Sequence, residues 1–209
     1  MPPKNKFTKE EITAAATAAV REGGLDALTA RGVAKRLGAS TQPIFAAFPT
    51  MDALKAEVTA AARNLYSEYI GRGLAEEVPF FGVGMQYIRF AREEPEFYRL
   101  LFLRRYDGEN PCIAEMERTQ ELVRGSLMRI YRIDADTADR YFRDMWLVAH
   151  SLATLTAMGC CPYGEREIGQ ILTGFSVSLC KAIKEITGFA AGTFDRSEIF
   201  ASLIKEWQK

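Results

Sequence analysis

The segment from Thr29 to Leu54, TARGVAKRLGASTQPIFAAFPTMDAL, constrains the fold of this chain more than any other. Apolar residues recur at helical spacing around its start, at Leu28, Val33 and Leu37. The threonine that opens the segment suits an N-cap, and Leu28 can pack against Val33 as a hydrophobic staple. Gly38 follows at the point where a helix commonly ends in a left-handed residue. These features predict a helix and a turn.

A second helix is expected directly after this turn. Ser40 or Thr41 can cap it, and a cap at Ser40 would put Pro43 in the first turn, where its missing N–H has no intrahelical partner anyway. The apolar side of this helix is expected to consist of Ile44, Phe45 and Phe48. Two short helices joined by a turn with glycine are the signature of a helix-turn-helix.

The charges around this segment fit a nucleic-acid partner. No acidic residue occurs between Asp26 and Asp52, whereas Arg31, Lys35 and Arg36 are basic. A surface that approaches phosphate groups has to exclude carboxylates. Spacing alone is equally compatible with an ordinary αα-hairpin in a helical bundle that does not contact DNA.

The sequence from Phe7 to about Val58 resembles, in order and without gaps, the amino-terminal domain of the TetR (tetracycline repressor) family of transcription regulators. The resemblance includes a G-x-x-x-LT-x-R-x-VA-x-x-LG run, the letters STQPIF and the closing Phe48. A weaker resemblance to the ligand-binding half of one TetR subgroup continues at YIRFAREEPEFYRLLF and WLVAHSLATLTAMG. It implies an all-α fold. Residues 1–50 would form a three-helix DNA-binding domain with a helix-turn-helix, and residues 51–209 a helical ligand-binding and dimerisation domain, linked by helix 4.

The resemblance also implies a set of DNA-binding residues. In helix-turn-helix proteins the amino end of the second helix enters the major groove. Gln42 is suited to adenine and Thr41 to several bases, while Ala46 and Ala47 would face the groove with apolar contacts only. Arg31 would reach a phosphate or a base edge. The complete expected set is Thr29, Arg31, Ser40, Thr41, Gln42, Phe45, Ala46, Ala47 and Lys55.

Three positions depart from the family pattern, and each concerns phosphate contacts. The usual tyrosine of the recognition helix is Phe45, the usual histidine is Ala47, and the usual lysine near the start of helix 4 is Met51. Lys55 lies one turn further on and can replace that lysine, while Thr29 and the amino end of its helix would hold a phosphate through backbone N–H groups. We expect weaker phosphate anchoring than in a typical member.

Helical patterns extend over most of the chain. Thr8 and Glu11 form a capping box before helix 1, which is expected at 9–22. Helix 4 should begin after Thr50 and end near a break at 71–79. Later helices are expected at about 80–94, 95–102, 112–131, 165–187 and 197–207. A further helix between the third and fourth of these should be capped by Asp134 or Asp136 and end at about 158. An amino-terminal arm with Lys4 and Lys6 would either touch phosphates or fray, and 106–111 should be a loop.

Residues 145–164 carry no charged side chain, which raises a membrane-spanning alternative. We reject it because the run contains His150 and several hydroxyl residues and ends in a Gly-Cys-Cys-Pro-Tyr-Gly turn. A helix buried on most sides is expected instead. The next helix has one apolar stripe, formed by Ile168, Ile171, Leu172, Phe175, Leu179, Ile183 and Ile186. Two such helices suit a dimer interface, and in the TetR family the last long helices pair in a four-helix bundle, so a homodimer is expected.

A ligand pocket is expected among helices 4 to 8. Its aromatic candidates are Phe90, Phe102, Tyr141, Trp146 and His150. A mostly apolar pocket with few polar groups suits a small hydrophobic or aromatic effector. Such an effector would release a repressor from its DNA operator only by binding one conformation better than another.

Charge balance and cysteine usage bear on the DNA contact and on the expected cytoplasmic compartment. The 209 residues include 27 basic and 27 acidic side chains, so any DNA-binding charge has to be local. Four cysteines with one adjacent pair suggest a reducing compartment. Cys160 and Cys161 do not have zinc-ligand spacing, and they serve either as small packing residues or as a redox sensor. We expect no cofactor, no metal site and no membrane partner.

Two other classes of function stay open at this stage. An all-α ligand- or partner-binding protein with a decayed DNA-binding head would explain the lost tyrosine, histidine and lysine. An enzyme would depend on His150, the single histidine, or on Cys160. We expect no enzyme, because a hydrogen-bonded core or pocket histidine is the more common role for a histidine in an apolar helix.

Overall fold

The computed structural model describes residues 7–104 and 111–208, and each regular element in those ranges is a helix. The helices are α1 (Lys9–Gly23), α2 (Ala30–Leu37), α3 (Gln42–Ala47), α4 (Met51–Leu74), α5 (Pro79–Glu93), α6 (Pro95–Phe102), α7 (Pro111–Tyr131), α8 (Ala135–Ala157), α9 (Glu165–Glu185) and α10 (Arg196–Trp207), with a short 3-10 turn at Leu25–Ala27. The all-α prediction is confirmed. The predicted arm with Lys4 and Lys6 lies outside the described residues, as do residues 106–110 of the predicted loop at 106–111, while Pro111 begins α7.

The first three helices form a compact unit, here called the head (α1–α3). The capping box before α1 is present, since the Thr8 hydroxyl accepts a hydrogen bond from the Glu11 N–H at 3.2 Å and the Glu11 carboxylate accepts one from the Thr8 N–H at 2.8 Å. The helix then buries Ile12 and Val20 on one side. Burying this stripe against α2 and α4 holds the head together.

The turn between α2 and α3 has the expected geometry at its start. The Thr29 hydroxyl caps α2 by accepting from the Gly32 N–H at 3.0 Å, and Gly38 ends α2 with φ 62° and ψ 37°. Of the two predicted caps, Ser40 and Thr41, the structure places Thr41 directly before α3 as its N-cap residue. Thr41 has helical backbone angles, so within the described residues its hydroxyl makes no capping hydrogen bond.

Helix α4 is longer than the sequence suggested. It continues to Leu74, past the predicted break at Gly71. The reason is a close crossing with α5, where Gly73 and Gly82 face one another. A Cβ added at Gly73 would lie 2.5 Å from the Val83 nitrogen, and one added at Gly82 would lie 2.4 Å from the Gly73 carbonyl oxygen. Glycine lets the two backbones touch, and this packing offsets its low helix propensity.

A continuous apolar core runs from the head through α4, α5, α6 and α8 to α9. Helix α8 is buried on one face only, contrary to the expected burial on most sides. Its opposite face exposes Leu147, Leu155 and Met158. No helix in the described ranges combines the length and the apolar character that crossing a membrane requires.

The apolar stripe of α9 is divided between core and surface. Ile168 and Leu172 are buried, whereas Phe175 is 53% exposed and Val177 beside the stripe is 49% exposed. Helix α10 has no buried residue among those described. Its exposed apolar side chains are Phe200, Leu203, Ile204 and Trp207.

Candidate nucleic-acid interface and ligand cavity

The exposed side of the helix-turn-helix carries most of the residues expected to contact DNA. Arg31 on α2 and Gln42 on α3 are exposed, and Ser40 lies exposed in the turn before α3. Thr41 is half-buried and Ala46 is exposed. Since α3 begins at Gln42, this glutamine is the first helical side chain at the end that enters a major groove in related motifs.

Two α3 residues differ from the expectation. Ala47 is 8% exposed, so its predicted place facing the groove is wrong. It lies three residues after Ile44, which is fully buried, and both therefore point into the head. Phe45 is 50% exposed, which corrects its predicted place on the apolar side with Ile44 and Phe48. The exposed face of α3 thus presents Gln42, Phe45 and Ala46.

The basic residues of α2 are not equivalent. Both terminal guanidinium nitrogens of Arg36 donate to the Glu22 carboxylate, one of them at 3.1 Å. This contact raises the pKa of Arg36 and lowers the pKa of Glu22. Arg31 and Lys35 have no ion-pair partner within residues 7–104 and 111–208, and both are exposed. Glu22 is therefore an acidic neighbour that the acid-free interval of the sequence did not reveal.

Two expected phosphate anchors, Thr29 and Lys55, lie at the start of α2 and in α4. The Thr29 hydroxyl is engaged in capping α2, so a phosphate contact there depends on backbone N–H groups. Lys55 lies half-buried in the second turn of α4, and Met51 is half-buried in the first turn. Met51 packs against the core, which a lysine at this position could do only with its aliphatic stem.

A cavity of about 50 Å³ lies between five helices of the carboxy-terminal part. Its wall includes Tyr66 of α4, Phe80 and Tyr87 of α5, Thr119 of α7, Tyr141 and Trp146 of α8, and Ser176 of α9. A space of this size holds a few water molecules and is smaller than the roughly 300–1,000 Å³ of most ligand pockets. A larger ligand must therefore push helices apart.

Four hydroxyl groups of the cavity wall are paired with each other. Tyr66 and Thr119 lie 3.1 Å apart between hydroxyl oxygens, and Tyr141 and Ser176 lie 2.6 Å apart. The Tyr131 hydroxyl joins the second pair at 2.9 Å from the Ser176 oxygen. Burial raises the pKa of Tyr66 and Tyr141, so both phenols stay neutral hydrogen-bonding groups.

His150 lies behind the cavity wall rather than in it. Its Nδ1 is 2.8 Å from the Tyr87 hydroxyl and 3.1 Å from the Tyr98 hydroxyl, and its ring stacks on Trp146 at 4.6 Å between centroids. Burial lowers the pKa of His150, which keeps the imidazole neutral. The prediction of a hydrogen-bonded histidine is confirmed, while its predicted place among the pocket-lining residues is corrected.

Only some of the aromatic residues predicted to line the pocket do so in the structure. Tyr141 and Trp146 line the cavity, whereas Phe90 and Phe102 do not. Phe90 is fully buried and Phe102 is 5% exposed, and both pack edge-on against the ring of Tyr66, at 5.4 Å and 5.2 Å. They support the wall from behind, so the prediction that they line it is corrected.

Several wall residues were missing from the sequence prediction. Tyr66 continues the buried stripe of α4 at four-residue spacing from Ala62. Ser176 is a polar residue on the buried stripe of α9, four residues after Leu172. Both signals were present in the sequence, because a polar group at a core position needs a partner. Helix α9 therefore extends the pocket beyond the expected helices 4 to 8.

The cysteines and acidic residues provide no evident metal site. No group of three or more His, Cys, Asp or Glu side chains that could hold a metal ion occurs in the part of the chain that the structure describes. Cys160 is exposed and Cys161 half-buried at the end of α8. The Cys160 thiol donates to the Leu155 carbonyl oxygen at 3.5 Å, which ties it to the helix end.

Two family profiles match the chain, one for each half. The profile described as "Bacterial regulatory proteins, tetR family" matches residues 12–58, and "Tetracyclin repressor-like, C-terminal domain" matches residues 80–170. A search of curated proteins found no match. The first profile covers the head and the start of α4, and the second runs from α5 into α9, which confirms the resemblance noted from the sequence. The chain belongs to the TetR family of DNA-binding transcriptional regulators.

Proposed function

We propose that this chain is a homodimeric, cytoplasmic repressor that leaves its operator when a small hydrophobic or aromatic effector enters the cavity. One observation carries the proposal. Tyr66 lines the cavity and belongs to α4, the helix against which α1 of the head packs. We also propose a division at residues 50 and 51, with α4 as the link between head and ligand domain.

DNA recognition would use the exposed face of α3. Gln42 would read a base edge, with Thr41, Phe45 and Ala46 beside it. In a dimer the two recognition helices would lie about 34 Å apart, or somewhat more, on a partly palindromic operator. Arg31, Lys55 and the amino end of α2 would contact phosphates.

Because the cavity is small, effector binding would require a change in the positions of the surrounding helices. A molecule larger than a few waters would have to separate α4 and α5 from α8. It would then favour a conformation with a different spacing of the two heads, and the DNA would favour the original spacing. Effector and DNA would oppose each other only because each binds one of the two conformations more tightly than the other.

The dimer would form through the exposed apolar faces of α8 and α9. Leu147, Leu155 and Met158 on α8 and Phe175 and Val177 on α9 are all more than a third exposed. Apolar side chains in this number on two neighbouring helices support a packed helical interface. Phe175→Glu would be expected to shift the chain towards monomer in analytical ultracentrifugation, whereas Ser67→Glu, at an exposed polar position on α4, would not.

A salt titration of DNA binding tests the proposal directly. The DNA upstream of the chain's own gene would be compared with a scrambled duplex of the same composition. We expect a specific complex whose log K falls linearly with log salt concentration. Gln42→Ala should weaken that complex by about 1–3 kcal/mol and leave binding to the scrambled duplex unchanged.

A second candidate is a ligand-binding protein whose head contacts DNA only weakly. The observation that favours it is the chemistry of α3, where Phe45 has no hydroxyl for a phosphate and Ala47 is buried. Equal and weak binding to both duplexes would favour this candidate. Specific binding that Gln42→Ala weakens selectively would exclude it.

A further inference from the structure

We propose that the effector is a neutral aromatic molecule with a hydrogen-bond acceptor, such as a ring ketone, and that it binds the indole N–H of Trp146. This inference rests on the proposed function, because it names the ligand class of the same cavity. It adds three properties that family membership does not supply. The ligand is uncharged, it has a ring, and it carries an acceptor at one defined place.

The absence of charge in the wall excludes ionic ligands. Of the described residues that line the cavity, none is an aspartate, glutamate, lysine, arginine or histidine. An ion that enters such a space loses its hydration and finds no opposite charge, which costs far more than burying a neutral molecule. The neutral state of the buried tyrosines adds to this, since their pKa values are raised by burial.

The indole N–H of Trp146 is the reason to expect a hydrogen-bond acceptor on the ligand. The residue is 8% exposed, and its Nε1, which is buried from the cavity as well as from bulk solvent, has no hydrogen-bond partner within the described residues. The acceptor of a ligand would reach this nitrogen as the cavity opens around the ligand. The other polar side chains of the wall are paired, as Tyr66 is with Thr119 and Tyr141 is with Ser176. A buried donor without a partner is costly, and indole can donate but not accept. A ligand that accepts this hydrogen bond therefore gains more than one that does not.

The position of the indole is defined by its neighbours. Its ring stacks on His150 with an interplanar angle of 16° and a centroid distance of 4.6 Å. His150 is itself held by the hydroxyls of Tyr87 and Tyr98. Because Trp146 cannot rotate without breaking this stack, the donor is oriented before the ligand arrives, which reduces the entropy cost of binding.

Aromatic rings surround the space that the ligand would occupy. Phe80 meets Tyr141 edge to face at 5.8 Å, and Tyr87 lies 6.3 Å from Trp146. A ring ligand can continue these edge and face contacts, which are worth more than apolar contact alone. One or two fused rings would suit a space that is small before binding.

Matched pairs of small probes test this assignment. Calorimetry with the full chain would compare 1-indanone with indane, and 1-tetralone with tetralin, which differ by one carbonyl group. We expect each ketone to bind about fivefold more tightly than its hydrocarbon. Indane-1-carboxylate, which is charged, should bind more weakly than indane. Trp146→Phe should remove the preference for the ketone while leaving the affinity for the hydrocarbon within about twofold.

A second measurement does not depend on a variant at the site. The chain has two tryptophans, and Trp207 is 88% exposed, so Trp207→Phe leaves Trp146 as the source of a single indole N–H signal in nuclear magnetic resonance. Indanone should move this proton signal downfield as a hydrogen bond forms, and indane should not.

The outcomes that overturn the assignment are distinct. Equal affinity for ketone and hydrocarbon, tighter binding of the carboxylate, no binding of any neutral probe up to about 1 mM, or an indole signal that indanone leaves in place would each overturn it. Binding as expected without release of operator DNA would support this ligand assignment and contradict only the proposed repressor mechanism.

Discussion

Arg63 on α4 forms an ion pair with Glu115 on α7, and the Glu115 side chain is only 4% exposed. The pair lies one turn from the hydrogen bond between Tyr66 and Thr119, so it fastens α4 to α7 beside the cavity. Arg118 contacts the same carboxylate at 2.8 Å from α7 itself. A carboxylate this deeply buried is stable only while cations remain beside it.

We therefore expect Arg63→Met to lower the free energy of unfolding by about 1–2 kcal/mol. The loss should be smaller than the roughly 3–5 kcal/mol for stripping a buried charge of its sole partner, because Arg118 stays. Urea unfolding measures this difference. Arg118→Met is the control: its side chain is 55% exposed, and its removal should cost less than about 0.5 kcal/mol. Equal losses for the two variants would contradict a special role of the interhelical pair.

The two arginines of α2 should differ in their contribution to DNA binding. Arg31→Ala is expected to reduce the slope of log K against log salt by about 1, because it removes one phosphate contact. Arg36→Ala should change the slope much less, because Arg36 already pairs with Glu22. Fluorescence anisotropy over a range of salt concentrations measures both slopes. A larger effect of Arg36→Ala would mean that the Glu22 pair opens on DNA.

Two glycines of α4 should respond to alanine in opposite directions. Gly73→Ala should destabilise the chain by about 1–3 kcal/mol, because its Cβ would clash with the backbone of Val83 at 2.5 Å. Gly71→Ala should stabilise it by about 0.5–1 kcal/mol, because no described atom beyond its chain neighbours and the adjacent backbone of α4 lies within 4 Å of that Cβ, and alanine favours helix. Thermal unfolding of the two variants decides this, and a stabilising Gly73→Ala would refute the close crossing.

Acidification should weaken the fold through His150. The pKa of His150 is lowered by burial from its ordinary value of 6.5, so the unfolded chain binds the proton more tightly than the folded chain does. The contribution of neutral His150 to the free energy of unfolding is complete above pH 6.5 and decreases as the pH falls below that value. Between about pH 7 and about pH 5, unfolding free energy should fall less in His150→Gln than in the natural chain. Parallel curves would show that His150 does not contribute.

Local chemistry made the helix ends of the head predictable. Thr29 and Gly38 act on their own backbone neighbours, so cap and turn could be located from a few letters. The start of α3 was harder, because Thr41 adopts helical angles without using its hydroxyl as a cap. The end of α4 was missed for a different reason. The cost of glycine in a helix is small, and the crossing at Gly73 with Gly82 outweighs it.

Contacts between distant parts of the chain could not be predicted in the same way. Glu22 neutralises Arg36 from another helix, and nothing in the acid-free interval indicates this. The sequence predicted Phe90 as a pocket-lining residue, but an aromatic residue in a helix does not reveal whether it lines a cavity or lies in the core behind it. Tyr66 was overlooked because its hydroxyl partner, Thr119, is 53 residues away along the chain.

The crossing of Gly73 and Gly82 also gives α4 a fixed point about which the helix can tilt. It holds the far end of α4 against α5 with the backbones in contact, and about 33 Å of helix separates it from Met51, where α4 begins next to the head. A tilt of about 5° around this point would displace the near end of α4 by about 3 Å. Such a displacement is comparable to the spacing of adjacent base pairs, so a slight parting of helices around Tyr66 would move α3 out of register with a DNA groove.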